Sequence, residues 1–123
     1  MRNILIAASV FAFVAAPALA ADDVMAGFYG NTVVSTGGMM EIHTHYRADH
    51  TFDSSASAIM GSFNGKGSWK LDGADKICRT FEVAPPMGPN PNCGPIAAHK
   101  VGDTWTVTAG SNTRTVTLKA GIQ

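Results

Sequence analysis

Between Met40 and Val83, apolar and polar residues alternate, and the breaks in that alternation fall at clusters of turn residues. Successive side chains on an extended strand point to opposite faces, so this period of two specifies half-buried strands. No long stretch beyond residue 20 carries the 3.6-residue period of an amphipathic helix. Parity then fixes the pairing. Residues opposite one another in an antiparallel pair share a face, and a slip of one residue would turn a whole apolar set to solvent.

Met40, Ile42, Thr44 and Tyr46 take one face, and Glu41, His43, His45 and Arg47 the other. The apolar set is the inward one, so both histidines point outward. A turn at Ala48-Asp49-His50 brings Tyr46 opposite Phe52 inside and His45 opposite Asp53 outside. His50 then occupies the last turn position, where positive φ is favoured and His is tolerated. Downstream, a three-residue loop at Gly73 to Asp75 pairs Leu71 with Ile77, Trp69 with Arg79 and Gly67 with Phe81. Ile77, Phe81 and Val83 then share the inner face, and Lys66 faces Glu82 outside. Asn64-Gly65 is a strong hairpin signal. It predicts a two-residue turn that pairs Met60 with Trp69 and continues the inward set Phe52, Ser54, Ala56, Ala58.

Near the end, an even-length turn around Gly110 to Asn112 joins Trp105 and Val107 to Val116 and Leu118, sending Arg114 inward. Residues 96–101 read as a shorter strand. Within it, His99 faces Trp105 if the turn spans Val101 to Asp103, and solvent if it is Gly102-Asp103. Residues 84–95 hold five of the six prolines and read as a rigid loop. The sum is an all-β chain of about seven to eight short antiparallel strands. A small up-and-down barrel buries their common face best, with a two-sheet sandwich as the alternative.

The N-terminus carries an address. Arg2, an apolar run from Ile4 to Ala16, Pro17 and then "ALA" at 18–20 read as a signal peptide cleaved after Ala20. That predicts export, to the periplasm or the medium, and a single domain over 21–123 with no membrane insertion after cleavage. Without Arg2, eight basic residues face nine acidic ones, which is no nucleic-acid footprint. Cys78 and Cys93 are the only cysteines, and in an exported chain they are expected to form a disulfide. Closing a loop of that length stabilises by about 3 kcal/mol on the chain-entropy model.

"MAGFYGNTVVST", residues 25–36, resembles the opening strand of the lipocalin-like (calycin) barrels, with Gly27 and Tyr29 at the positions of their Gly-x-Trp signature. Tyr29 stands where that signature has Trp. "YRADHTF" and "GKGSWKLDGADKIC" are similar to segments of small exported bacterial proteins of the same kind. The resemblance implies a barrel with a mouth and a small apolar ligand. It also implies a late arginine packed on the first aromatic residue, a role that would fall to Arg114. It implies no catalytic residues.

The inward set suggests its own chemistry. Arg79 falls among Ile77, Phe81 and Val83, and a dehydrated guanidinium needs a partner. It either stacks on Trp69 or, alone or with Arg114, holds a ligand carboxylate or phosphate. Trp69, Trp105, Tyr46, Phe81 and Met60 would then line an apolar pocket for a small apolar or amphipathic molecule. A surface copper or zinc site on His43 and His45, two apart on one strand face, is the second reading. A cofactor-free isomerase or lyase using His99 or Tyr46 as proton carrier is the third. No complete catalytic motif is present.

Overall fold

The computed structural model describes residues 24–86, 88–109 and 111–123, so the expected leader, 1–20, lies outside the described residues. Eight strands follow in order: β1 (Thr32–Gly37), β2 (Met40–Tyr46), β3 (Thr51–Ala58), β4 (Gly61–Leu71), β5 (Lys76–Phe81), β6 (Asn92–Pro95), β7 (Thr104–Ala109) and β8 (Asn112–Lys119). They form one antiparallel sheet ordered β6-β5-β4-β3-β2-β1-β8-β7. The sheet curls into a nearly closed barrel. The first and last strands pair, so the break in the wall lies between β6 and β7. Among the described residues no main-chain hydrogen bond joins those two strands. The up-and-down barrel is therefore the observed architecture, and the sandwich gives way to it.

Parity sets the register as expected in two hairpins. Tyr46 opposes Phe52 and His45 opposes Asp53. Leu71 opposes Ile77, Trp69 opposes Arg79 and Gly67 opposes Phe81. His50 has φ 67, the turn conformation predicted for it. Ala109 pairs with Asn112, an even-length connection, and Val107 opposes Arg114, which faces inward.

The Asn64-Gly65 turn is not formed. β4 runs straight through both residues, and the β3–β4 connection is Ile59-Met60, with Ala58 opposite Gly61. Met60 therefore does not oppose Trp69; it sits 99 % exposed at a hairpin tip, off the barrel wall. Gly65 is glycine for space. A Cβ there would meet the Phe81 ring at 2.8 Å. At Gly67 it would stand 1.9 Å from the Thr80 carbonyl oxygen, so strand contact, not cavity, fills that position. Three further expectations change. The proline-rich loop contains a strand, β6, which proline permits at a sheet edge. Residues 96–101 form no strand. Strand β5 ends at Phe81, leaving Val83 77 % exposed.

Met25, Phe28, Tyr46, Phe52, Trp69, Ile77 and Leu118 form the buried core. Burial of each such side chain contributes about 2 kcal/mol. Met25 and Phe28 come from a short 3₁₀ turn and its continuation, not from a first strand, and they plug one barrel end. Their spacing of three suits that tight helical turn. Gly27, between them, lies so close to the next loop that a Cβ would be 2.0 Å from the His99 carbonyl oxygen.

Outside, β1 departs from simple alternation. Val34 is on the outer face yet only 4 % exposed, and Thr32 is fully buried. The chain's last residues bond to Thr32. Thr32 Oγ1 donates to the Gly121 carbonyl at 2.8 Å and accepts from the Gln123 amide at 2.9 Å.

Candidate functional site

Arg79 enters the barrel interior from β5. Its cross-strand neighbours are Trp69 on β4 and Asn92 on β6. The guanidinium is half-buried. Nη1 donates to the Tyr46 hydroxyl at 2.8 Å, and Nη2 donates to Asn92 Oδ1 at 3.0 Å. Both acceptors are neutral, and no carboxylate pairs with Arg79 among the described residues. A cation placed against apolar walls without a counter-charge is an unbalanced arrangement.

The surrounding walls are aromatic. Tyr46 packs edge-on against Trp69 with centroids 6.4 Å apart. From Tyr46 the rings continue through Phe52 (6.3 Å) to Phe81 (5.0 Å) and on to Phe63 (6.2 Å). Phe63 borders an open groove of about 610 Å³ with Gly65, Lys66, Glu82 and Val83. A path of packed aromatic rings thus links the groove to Tyr46 beside the guanidinium; Phe52 within it is fully buried, so it is a path of contacts and not an open channel. Trp69 does not carry Arg79 as a stacked cation; its stacked partner is His50, at 4.0 Å and 13°. Its indole Nε1 donates to the Arg47 carbonyl.

The structure therefore brings Arg79, Tyr46, Trp69 and Phe81 together. Trp105 joins the same core from β7. Arg114 lies elsewhere, at the β1–β2 hairpin end. It donates to Ser35 Oγ at 2.6 Å and to the carbonyls of Ser35, Gly37 and Met40 at 2.9, 3.1 and 3.2 Å. Burial lowers its pKa. These bonds make it a clip for two strand ends.

His43 and His45 do lie on the outer face, but they are not simply bathed in water. Both rings approach the Gln123 main-chain oxygen, at 3.4 and 3.1 Å. His43 also meets Glu41 at 3.3 Å, and His45 Nδ1 meets Asp53 Oδ1 at 2.6 Å. Arg47 closes on the other Asp53 oxygen. Burial pushes the Asp53 carboxyl up, but the hydrogen bonds from His45 and Arg47 and their charges outweigh it and hold the carboxyl below its ordinary value. Among the described residues no three His, Cys, Asp or Glu side chains converge as a metal cage.

His99 stacks flat on Trp105, at 3.5 Å and 6°, and Nδ1 lies 3.3 Å from Asp103 Oδ2. The Lys100 amide, the stronger influence, and His99 hold the Asp103 carboxyl below its ordinary range. Phe28 packs edge-on against both His99 and Tyr46, and no hydrogen bond links His99 to Tyr46 or Arg79. The two proposed proton carriers are not assembled into one centre.

Cys78 and Cys93 form the expected disulfide, directly across the β5–β6 pair on the outer face. Asn92 is the site residue that sequence reasoning missed. Its neighbour Cys93 was the available signal: a bond to Cys78 draws residue 92 to the rung of Arg79. No family model, curated protein or solved structure matches the chain.

Proposed function

We propose that this is an exported, lipocalin-like binding protein that takes a small amphipathic anion, with its charged head on Arg79 and its apolar part along Phe81 and Phe63. The single observation that carries this reading is the guanidinium inside the barrel, hydrogen-bonded among the described residues to the neutral Tyr46 and Asn92 alone. A carboxylate is the planar, two-oxygen partner that a guanidinium fork accepts. The aromatic path and its groove supply the greasy walls usual in small-molecule sites. The disulfide supports export, since such bonds persist in oxidising compartments.

The test is titration of the oxidised protein with straight-chain carboxylates and the matching alcohols, followed by calorimetry and tryptophan emission. Trp69 lies in the site, so its emission shifts on binding. Arg79→Gln should weaken carboxylates by about tenfold or more and leave alcohols little changed. Equal weakening of both, or no saturable binding up to about 1 mM, would overturn the reading.

A further inference from the structure

We infer that Asn92 makes this site selective for a headgroup that only accepts hydrogen bonds, and that the Cys78–Cys93 disulfide holds Asn92 there; the inference rests on the anion reading above. The reason is an account of protons. A guanidinium has five N–H donors and no acceptor. The Asn92 atom that faces it at 3.0 Å must therefore be Oδ1, which turns the amide NH₂ away from Arg79. Likewise the Tyr46 oxygen accepts from Arg79 at 2.8 Å, so its own proton is directed elsewhere. Each of the two acceptors of the trio has already given one of its two lone pairs to Arg79, so the trio is left with more donors than acceptors. The donors left are the Asn92 amide protons, the Tyr46 hydroxyl proton and the unused N–H groups of Arg79. A carboxylate brings oxygens and no proton, and satisfies them. An alcohol, amide or amine brings a proton for which only two oxygens already bonded to Arg79 remain, and it offers fewer lone pairs to the surplus donors.

The position of Asn92 depends on its strand. β6 has four residues, includes Pro95 and follows Pro91, and it pairs only with β5. So short an edge is weakly held by its ladder alone. The Cys78–Cys93 rung is immediately next to the Arg79–Asn92 rung. The covalent bond lies on the outer face and the receptor on the inner one. The bridge thereby fixes the register that brings Asn92 Oδ1 to the guanidinium.

The experiment compares dodecanoate with dodecanol, by calorimetry, on the wild-type chain and three variants. The wild type should prefer dodecanoate by about tenfold or more. Asn92→Ala should cut that ratio several-fold. Asn92→Asp supplies an internal carboxylate to Arg79 and should abolish the preference. A Cys78→Ser, Cys93→Ser protein should lose as much as Asn92→Ala, and combining the two changes should lose nothing more, because both act on one interaction. A ratio unchanged in both Asn92 variants, while Arg79→Gln abolishes it, sinks this inference and leaves the anion reading standing. A wild type that binds no carboxylate sinks both. Strictly additive losses in the combined variant refute the role of the disulfide, and the Asn92 variants judge the selectivity even if the bridge-free protein does not fold.

Discussion

The barrel contains two inward arginines, and they do opposite things. Arg114 spends four hydrogen bonds on Ser35, Gly37 and Met40 and ties the β1–β2 end shut. Arg79 makes two, to side chains that are themselves able to bond to a guest. Among the described residues neither has a carboxylate. The lesson is that inward direction and charge do not separate a structural arginine from one proposed to hold a ligand. The number of donors left over does, together with what surrounds them: main-chain carbonyls for Arg114, a path of packed aromatic rings for Arg79.

Four substitutions press on that contrast. The largest effect belongs to Arg114→Met, which strands three carbonyls and one hydroxyl. It should lower stability by about 3 kcal/mol, read as a shift in the urea midpoint. Arg79→Met should cost at most about 1 kcal/mol. If the order were reversed, Arg79 would be the clip. The second probe is an exterior control. Arg47 does have a carboxylate, Asp53, which is shared with His45. Asp53→Asn should cost about 1 kcal/mol at neutral pH. The folded-state pKa of Asp53 is depressed. Its contribution is therefore fully present above the unfolded value and disappears as pH falls through the folded one. Below about pH 4 the wild type and Asp53→Asn should converge in stability. Curves that stay parallel into acid would show that the pair contributes nothing. The smallest effect is at the Arg114 end. Met39 stands at φ 64 in the β1–β2 turn and is 75 % exposed. Met39→Gly should raise stability by about 0.5 kcal/mol, seen as a small increase in melting temperature; a decrease would mean that the Met39 side chain contributes contacts there.

Much of this architecture was legible in the chain because side-chain parity is a rigid constraint. It placed Tyr46 against Phe52, Leu71 against Ile77 and Arg79 beside Trp69. It failed where a local signal competed with a longer ladder. Asn64-Gly65 favours a tight turn, but the full-length β3–β4 pairing running from Thr51–Ser68 to Ala58–Gly61 outweighs it. The parity of Phe63, shared with Gly65, Gly67 and Trp69, already argued for one unbroken strand. β6 escaped notice because proline argues against strands in general and much less against edge strands. The site was half legible. Arg79, Tyr46, Trp69 and Phe81 follow from parity, whereas Asn92 emerges only when the disulfide is treated as a statement of register. His99 stacks on Trp105 from an irregular segment, where alternation has no purchase.

The bonding of residues 121–123 to β1 has a wider meaning. Residues 121–123 lie against the outer faces of two neighbouring strands, β1 at Thr32 and β2 at His43 and His45. On β1 the adjacent valines point to opposite faces, Val33 to the lumen and Val34 outward, and Val34 is nevertheless buried. Most barrel strands can drift in sequence on their wet side; on the outer side of β1 Thr36 is exposed while Thr32 and Val34 are buried. Any variation at Thr32 must be matched by the terminal segment bonded to it, so the two stretches should be expected to change together or not at all.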